Sequence, residues 1–388
     1  MKYLIIGAGV AGVSACQAIR EKDAGAELLV LTEEQFPFYT RLRLPDLVAG
    51  RIEPAKLVLK DAGWFDRLGI ELRLNTRAEA IRPDPLRVIA GSEEFVAEKV
   101  LIATGADSFL PPVEGSDLGN VFTLRRMNDA LAIRARAAVA SGCVIIGGGV
   151  LGFEIGEALR SRGLEVTVVE IAERLLPRQT DASAAGVIRS LMERRGFEVV
   201  LGVKPVRFIQ SGGEAEAIAL SDGRSIAADL FIISAGVKPR VDVATASGIK
   251  TRRGIVIDDS LQTSLSRVFA AGDCTEHKGI LYGIWRASEE QGRFAGLAMA
   301  GERIAYSGTV RSYRLNLLGT TLLTAGMIEP SGNMTSEITV DEEHGIYRRI
   351  IRDGGRVVGM ILLGDLSGYR ELLAEIQDAG RSNGQPAG

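Results

Sequence analysis

The chain has 388 residues, 46% of them hydrophobic and 24% charged, with a formal net charge of −3. That length exceeds a single hydrophobic core and calls for two or three domains, and that charge gives no general affinity for nucleic acid. No apolar run approaches the roughly 20 residues that span a bilayer, and a strand starting at Lys2 leaves no room for a secretory signal, so the cytoplasm is the expected compartment. Cys16, Cys143 and Cys274 are far apart and form no C-x-x-C, and with only His277 and His344 as histidines no metal site is expected.

Tyr3-Leu4-Ile5-Ile6 reads as a buried strand. It runs into Gly7-Ala8-Gly9-Val10-Ala11-Gly12 and then a helical pattern to about Lys22. In such a turn the first glycine allows the tight bend, the second lets backbone approach a pyrophosphate, and the third lets helix pack on strand. The helix start then aims bare N–H groups at the phosphates. The next strand, Glu27–Leu31, ends at Thr32-Glu33-Glu34, where a carboxylate can hold ribose hydroxyls. A shift of one residue turns a strand side chain to the other face, so Glu33 and Glu34 both stand as candidates. Residues 35–45 are expected to form a loop; Arg41 within it suits a pyrophosphate, or is a solvated loop arginine. A strand at Lys99–Thr104 ends in Gly105-Ala106, and Pro111-Pro112 mark a boundary.

The turn recurs. Val144-Ile145-Ile146 leads into Gly147-Gly148-Gly149-Val150-Leu151-Gly152, with a helix expected from Val150 to about Arg162. The strand Glu165–Val169 ends in Glu170, whose carboxylate suits a ribose 2′-OH and repels a 2′-phosphate, although Arg174 is close in sequence. Phe231–Ser234 is a strand followed by a turn at Gly236 and Pro239. Arg267–Ala271 is a short strand ending in Gly272-Asp273, and a helix is expected from about Ile284 to Ala300, with Trp285 at its start. His277 either faces the same site as Trp285 or is a surface loop histidine, the reading preferred from sequence. Two strand-like runs around Asp353-Gly354-Gly355 signal a hairpin. Residues 377–388 are expected to be a flexible tail. Two phosphate-gripping turns in one chain suggest two dinucleotides, a bound flavin and a visiting nicotinamide.

Together these marks resemble the FAD- and NAD(P)H-dependent pyridine nucleotide-disulfide oxidoreductase superfamily. Ala103-Thr104-Gly105 is similar to its A-T-G turn, and Phe269-Ala270-Ala271-Gly272-Asp273 to its second FAD motif. Phe38-Tyr39-Thr40-Arg41-Leu42-Arg43-Leu44, then Ala49-Gly50, and the run from Gly354 to Asp365 resemble NADH:rubredoxin oxidoreductases and the FAD part of assimilatory nitrite reductases. Leu42 departs from the proline frequent there, and Thr32 stands where many members place the ribose acid.

The resemblance implies an α/β fold with two Rossmann-like, glutathione-reductase-like three-layer domains and a small C-terminal α+β domain. FAD binding is expected in residues 1–107 and 240–305, NAD binding in 108–239, and the small domain in 306–376. It assigns to tightly bound FAD the first turn (Gly7, Gly9, Val10, Ala11, Gly12), one of Glu33 and Glu34, Arg41, Ala78, Thr104, Gly105, Gly272, Asp273 and Trp285. To NADH, with NADPH disfavoured, it assigns Gly147, Gly149, Val150, Leu151, Gly152, Glu154, Glu170 and Gly236. Glu154 and Trp285 are the candidates near hydride transfer; Glu154 alternatively supplies a favourable charge in the first turn of its helix, and Trp285 alternatively is an aromatic anchor packed under the loop. Arg41 to Asp46 contains no cysteine where relatives carry an active thiol, and Cys16 and Cys274 read as buried, so electrons are expected to leave the flavin directly. The implied partner is a small iron carrier such as rubredoxin. Ferredoxin, a nitrite reductase or a carbon monoxide dehydrogenase are alternatives, as is a flavin- and NADH-binding redox sensor or scaffold. Neither a nucleic acid nor a membrane is expected as partner, and a homodimer is left open. Arg311, Arg314, Arg348, Arg349 and Arg352 make either a steering patch for an acidic partner or a solvated basic face.

Overall fold

The computed structural model describes residues 1–382, with side chains to residue 379. The chain divides into two compact units.

The first unit comprises Met1–Thr40, Ala55–Asp107 and Val237–Thr309. Its sheet has five parallel strands in the order Val268–Ala270, Lys99–Ile102, Lys2–Ile6, Glu27–Leu31, Ile70–Arg73. Leu4, Ile5, Leu101 and Ile102 are fully buried, as expected of parallel strands covered on both faces. The order reverses at Lys2–Ile6, whose neighbours lead away in opposite directions, and such a switch point is where open α/β sheets bind ligands. Two helices, Val10–Lys22 and Trp285–Met299, pack closely. Their contact depends on small residues: a Cβ on Gly292 would lie 2.2 Å from the Ala11 carbonyl oxygen, and one on Gly296 2.6 Å from that of Ala15.

The second unit comprises Arg41–Pro54, Ser108–Gly236 and Val310–Gly388. Its parallel sheet repeats the plan, in the order Val121–Phe122, Leu230–Ile233, Gly142–Ile146, Glu165–Glu170, Phe197–Leu201. A three-stranded meander, Pro205–Ser211, Glu214–Leu220 and Ser225–Ala227, buries Phe208 and Ile218 against Phe231 and Val144. The C-terminal region is an antiparallel sheet ordered Ser312–Leu317, Thr320–Gly326, Arg356–Leu363, Ile346–Asp353, Thr335–Asp341. The hairpin at Gly354-Gly355 forms with both residues at positive φ, as a two-residue turn matched to strand twist requires. A helix, Tyr369–Ser382, covers the sheet through Leu372, Leu373 and Ile376. A buried polar contact joins this sheet to the nucleotide-fold part of the same unit. Asp181, which caps helix Ala182–Arg194 through Ala184 N–H, accepts from the Tyr347 hydroxyl and from Arg349 Nη1 at 2.6 Å.

Several expectations change. Residues 35–45 are not simply a loop: Phe38–Tyr39 pairs with Val58–Lys60, Arg41–Arg43 is a 3-10 turn, and Leu44–Val48 is a short helix burying Leu44, Leu47 and Val48. That helix packs on Met127–Arg136 and Val150–Arg160, which draws Arg41–Pro54 into the second unit. The terminal helix continues to Ser382, through part of the stretch expected as a tail; residues 383–388 lie outside the described residues. His277 is not on a surface loop. It ends the buried strand Thr275–His277, with Nε2 2.8 Å from Asp259 Oδ1.

Candidate functional site

The two glycine turns have nearly the same backbone. Gly7 and Gly147 have φ of +115° and +117°, conformations that side chains disfavour. A Cβ on either would lie 2.2 Å from a carbonyl oxygen, of Ala103 and Ser234 respectively. One on Gly12 or Gly152 would lie 2.0 Å from the carbonyl oxygen of that turn's own first glycine. By contrast, a Cβ at Gly9 or Gly149 would meet nothing within 4 Å, so that side of each turn is open for close approach. Gly9 and Gly149 cap the helices Val10–Lys22 and Val150–Arg160, and neither helix has an acid in its first turn. Each helix start therefore presents unneutralised N–H dipoles toward the open side, the arrangement that takes a pyrophosphate. Val10 and Ala11, and Val150 and Leu151, are the residues that bring those N–H groups.

Four further segments expected at the first turn lie in the first unit. Gly105, at φ +72°, follows Thr104, whose hydroxyl donates to the Arg240 carbonyl at 2.8 Å. Gly272 N–H donates to Gln291 Oε1 at 2.8 Å, and a Cβ on Gly272 would lie 3.1 Å from Ala11 Cβ, so the Gly272-Asp273 corner sits against the first-turn helix. Asp273 accepts from Ser288 Oγ at 3.0 Å. Trp285 opens its helix half-buried, with its ring 5.9 Å from that of Phe38. Buried Ala78 is in the segment whose Thr76 N–H bonds to the Thr32 carbonyl at 2.8 Å.

The strand register agrees with the departure noted at Thr32. Ile6 pairs with Leu31 as Ile146 pairs with Val169, so Thr32 occupies the place that Glu170 holds in the second turn. Glu33 instead accepts from Arg240 Nη2 at 2.6 Å, and Glu34 from the Tyr39 hydroxyl at 2.5 Å. Arg41 opens the segment Arg41–Pro54 that is grouped with the second unit.

In the second unit Glu170 is buried, and its two oxygens accept from Gly148 N–H at 2.7 Å and Ala172 N–H at 2.8 Å. Gly236, at φ +101°, accepts from Phe109 N–H at 2.9 Å. Glu154 lies beyond the first turn of its helix, so the alternative of a favourable first-turn charge falls. Burial, then the nearby Asp46 and Glu157 carboxylates, raise its pKa to about 7. Asp46 itself accepts from Arg43 Nε and Arg51 Nε, each at 3.0 Å.

The three thiols are buried, and burial pushes each upward, Cys16 to about 12. None has the thiolate character that disulfide exchange requires. The C-terminal arginines are not a uniform basic face: Arg348 pairs with Asp365, Arg349 with Asp181 and Arg352 with Glu337. Among the described residues no helix is long and apolar enough to cross a membrane, and no cluster of metal-binding side chains occurs. Arg240 and Asp46 were not anticipated. Arg240 meets Glu33 across 207 positions of sequence, a separation over which no local pattern carries a signal.

Residues 1–298 match the family described as pyridine nucleotide-disulphide oxidoreductase, and residues 312–379 match the rubredoxin NAD+ reductase C-terminal domain. The chain is 31% identical over 287 residues to a rubredoxin-NAD(+) reductase of Ectopseudomonas oleovorans, covering 73% of this chain and 74% of that one. It is 30% identical over 380 residues to an NAD(P)H nitrite reductase of Bacillus subtilis, covering 97% of this chain but 47% of that protein. The chain thus spans about half the length of that curated relative. Among solved structures, NADH:rubredoxin oxidoreductase from Clostridium acetobutylicum superposes with a TM-score of 0.81 at 26% identity, covering 97% of this chain and 95% of that one.

Proposed function

The chain belongs to the pyridine nucleotide-disulphide oxidoreductase family, and from that premise we propose that it passes electrons from NADH to a small iron-containing carrier, rubredoxin foremost, without a redox-active disulfide. The chain is an NAD(P)H-dependent flavoprotein oxidoreductase, and its family uses FAD and NADH. FAD, when bound, supplies the chemistry: it takes two electrons as a hydride and can release them one at a time, which suits an iron centre.

The chain's own residues supply grip and orientation. In this reading the N–H groups after Gly9 hold the FAD pyrophosphate, and the corner at Gly272-Asp273 and the helix start at Trp285 bind further along the cofactor. Those after Gly149 hold the NADH pyrophosphate, and Glu170 takes the adenosine ribose. Glu154 is the residue assigned to the nicotinamide end. The observation that carries the reading is the duplicated turn: two sheets of one plan, each with an open second glycine and an acid-free helix start. The buried, upward-shifted thiols support direct transfer to the acceptor rather than through a disulfide.

The test is anaerobic. NADH should bleach the flavin band of the purified protein, and the reduced protein should then reduce rubredoxin faster than ferredoxin or a small disulfide at equal concentration. A protein that stays yellow under NADH refutes the reading. A second reading, an electron-input component for nitrite reduction, is favoured by the longer span of the nitrite reductase match, 97% of this chain against 73%. Rapid reduction of a nitrite-reducing partner, with rubredoxin inert, would select it.

A further inference from the structure

Glu170 explains why a 2′-phosphate is repelled, but Arg174, four residues on, is a cation of the kind that accommodates one. The segment that carries it is pressed onto the second turn. Leu176 N–H bonds to the Gly148 carbonyl at 2.9 Å, Ala172 N–H bonds to Glu170, and a Cβ on Gly148 would lie 2.7 Å from Leu175 Cδ2. Arg174 therefore belongs to the wall of the same loop as the ribose acid.

One nitrogen of its guanidinium is engaged elsewhere. Nη2 donates to Glu329 Oε1 at 3.1 Å and to the Pro177 carbonyl at 3.4 Å, which occupies both hydrogens of that nitrogen. Glu329 comes from the connection between strands Thr320–Gly326 and Thr335–Asp341 of the C-terminal sheet. The start of that connection is fixed: Met327 N–H bonds to the Val358 carbonyl at 3.1 Å, and Gly359 lies so near that a Cβ there would be 1.9 Å from the Met327 carbonyl oxygen.

We propose that Glu329 is a coenzyme-selectivity residue, which pairs with Arg174 and so withholds the cation that a 2′-phosphate would require. Selection against NADPH then has two parts, a repelling carboxylate at Glu170 and a sequestered guanidinium at Arg174. It also gives the C-terminal sheet a share in choosing the reductant. The inference rests on the assignment of the second turn to the nicotinamide dinucleotide.

The test is calorimetric titration of the FAD-loaded protein with 2′,5′-ADP and with ADP, for the wild type, Glu329→Gln, Glu329→Asp and the double variant Glu329→Gln/Arg174→Gln. An exposed ion pair is commonly a modest interaction, so Glu329→Gln should strengthen 2′,5′-ADP relative to ADP by about three- to fivefold. Glu329→Asp should stay near the wild type, and the double variant should lose the gain. In turnover with ferricyanide the same substitution should lower KM for NADPH more than it changes kcat. An unchanged ratio of the two affinities in Glu329→Gln, or a gain that survives in the double variant, overturns the proposal alone. If ADP does not bind the wild type, the assignment of the second turn fails and the proposal fails with it.

Discussion

Replacing Glu154 by glutamine isolates one electrostatic consequence of the second unit's packing. The carboxyl sits on helix Val150–Arg160, where the short helix Leu44–Val48 packs and brings Asp46 nearby. Burial first, then Asp46 and Glu157, raise its pKa from the ordinary 4.5 to about 7. A carboxyl raised in the folded state holds its proton there after the unfolded chain has lost it. Folding stability therefore falls as pH rises from about 4.5 to about 7, and the full penalty is present above that window. At 1.36 kcal/mol per pKa unit the unscreened penalty is about 3 kcal/mol, and partial solvent access reduces it to about 1–2 kcal/mol. Glutamine keeps the shape and carries no charge, so Glu154→Gln should match the wild type at pH 4 and exceed it by about 1–2 kcal/mol at pH 8. Paired urea denaturation curves at half-unit pH steps, followed by far-ultraviolet circular dichroism, measure the difference directly. Asp46→Asn should move part of the way in the same direction, because it removes the second-ranked cause. A wild-type minus variant difference that is flat with pH, or that favours the wild type at pH 8, refutes this account of Glu154.

Three further outcomes follow from the geometry. Gly292→Ala places a methyl group 2.2 Å from the Ala11 carbonyl oxygen, so it should cost about 2–3 kcal/mol and loosen FAD retention, read by urea unfolding and by flavin fluorescence release; a protein of unchanged stability would contradict the helix contact described. Glu170→Ala removes the acceptor shared by Gly148 and Ala172, and KM for NADH should rise about tenfold or more while FAD content holds; an unaltered KM would remove Glu170 from the site. Iodoacetamide at pH 8 should leave the folded protein's three thiols unmodified and its NADH oxidation intact, with labelling confirmed by intact mass; inactivation with one equivalent of label would return thiol chemistry to the mechanism.

Both glycine turns were legible because their information is local. Six residues, a preceding apolar strand and a following helix determine a backbone path with little help from the rest of the chain. The same locality explains the helix found at Trp285–Met299, the hairpin at Gly354-Gly355 and the strand ending in Glu170. What failed depended on distant partners. His277 looked like a loop residue because Asp259, the acceptor that allows its burial, is 18 positions away in an unrelated segment. The acid after the first turn stayed open between Glu33 and Glu34 because their partners, Arg240 and Tyr39, are set by the fold; the place of Thr32, by contrast, was legible from the family motif and agrees with the strand register. The C-terminal arginines looked alike in sequence, yet Arg349 is pinned to Asp181 across 168 positions while Arg352 stays at the margin with Glu337.

The difference between the two turns bears on which ligand is resident and which is transient. Their backbones match, so phosphate gripping alone does not distinguish them. In the first unit Thr32 replaces the acid, and Glu33 and Glu34 already accept from Arg240 and Tyr39. The Glu33 bond ties the strand end to a residue far along the chain, while Gly105, the Gly272-Asp273 corner and the Trp285 helix start gather into the same unit. A ligand spread over many segments must break many contacts at once to leave, and slow dissociation follows from that number. On the proposed assignment the second unit offers its turn, Glu154, Gly236 and the loop running from the buried Glu170 to Leu176. A site of that kind discriminates sharply between ribose and ribose phosphate yet holds its ligand through fewer segments. On the proposed assignment, the first turn serves a cofactor that stays and the second a reductant that exchanges at every turnover. Flavin retention through dialysis, alongside rapid washout of NAD, is the behaviour this division requires.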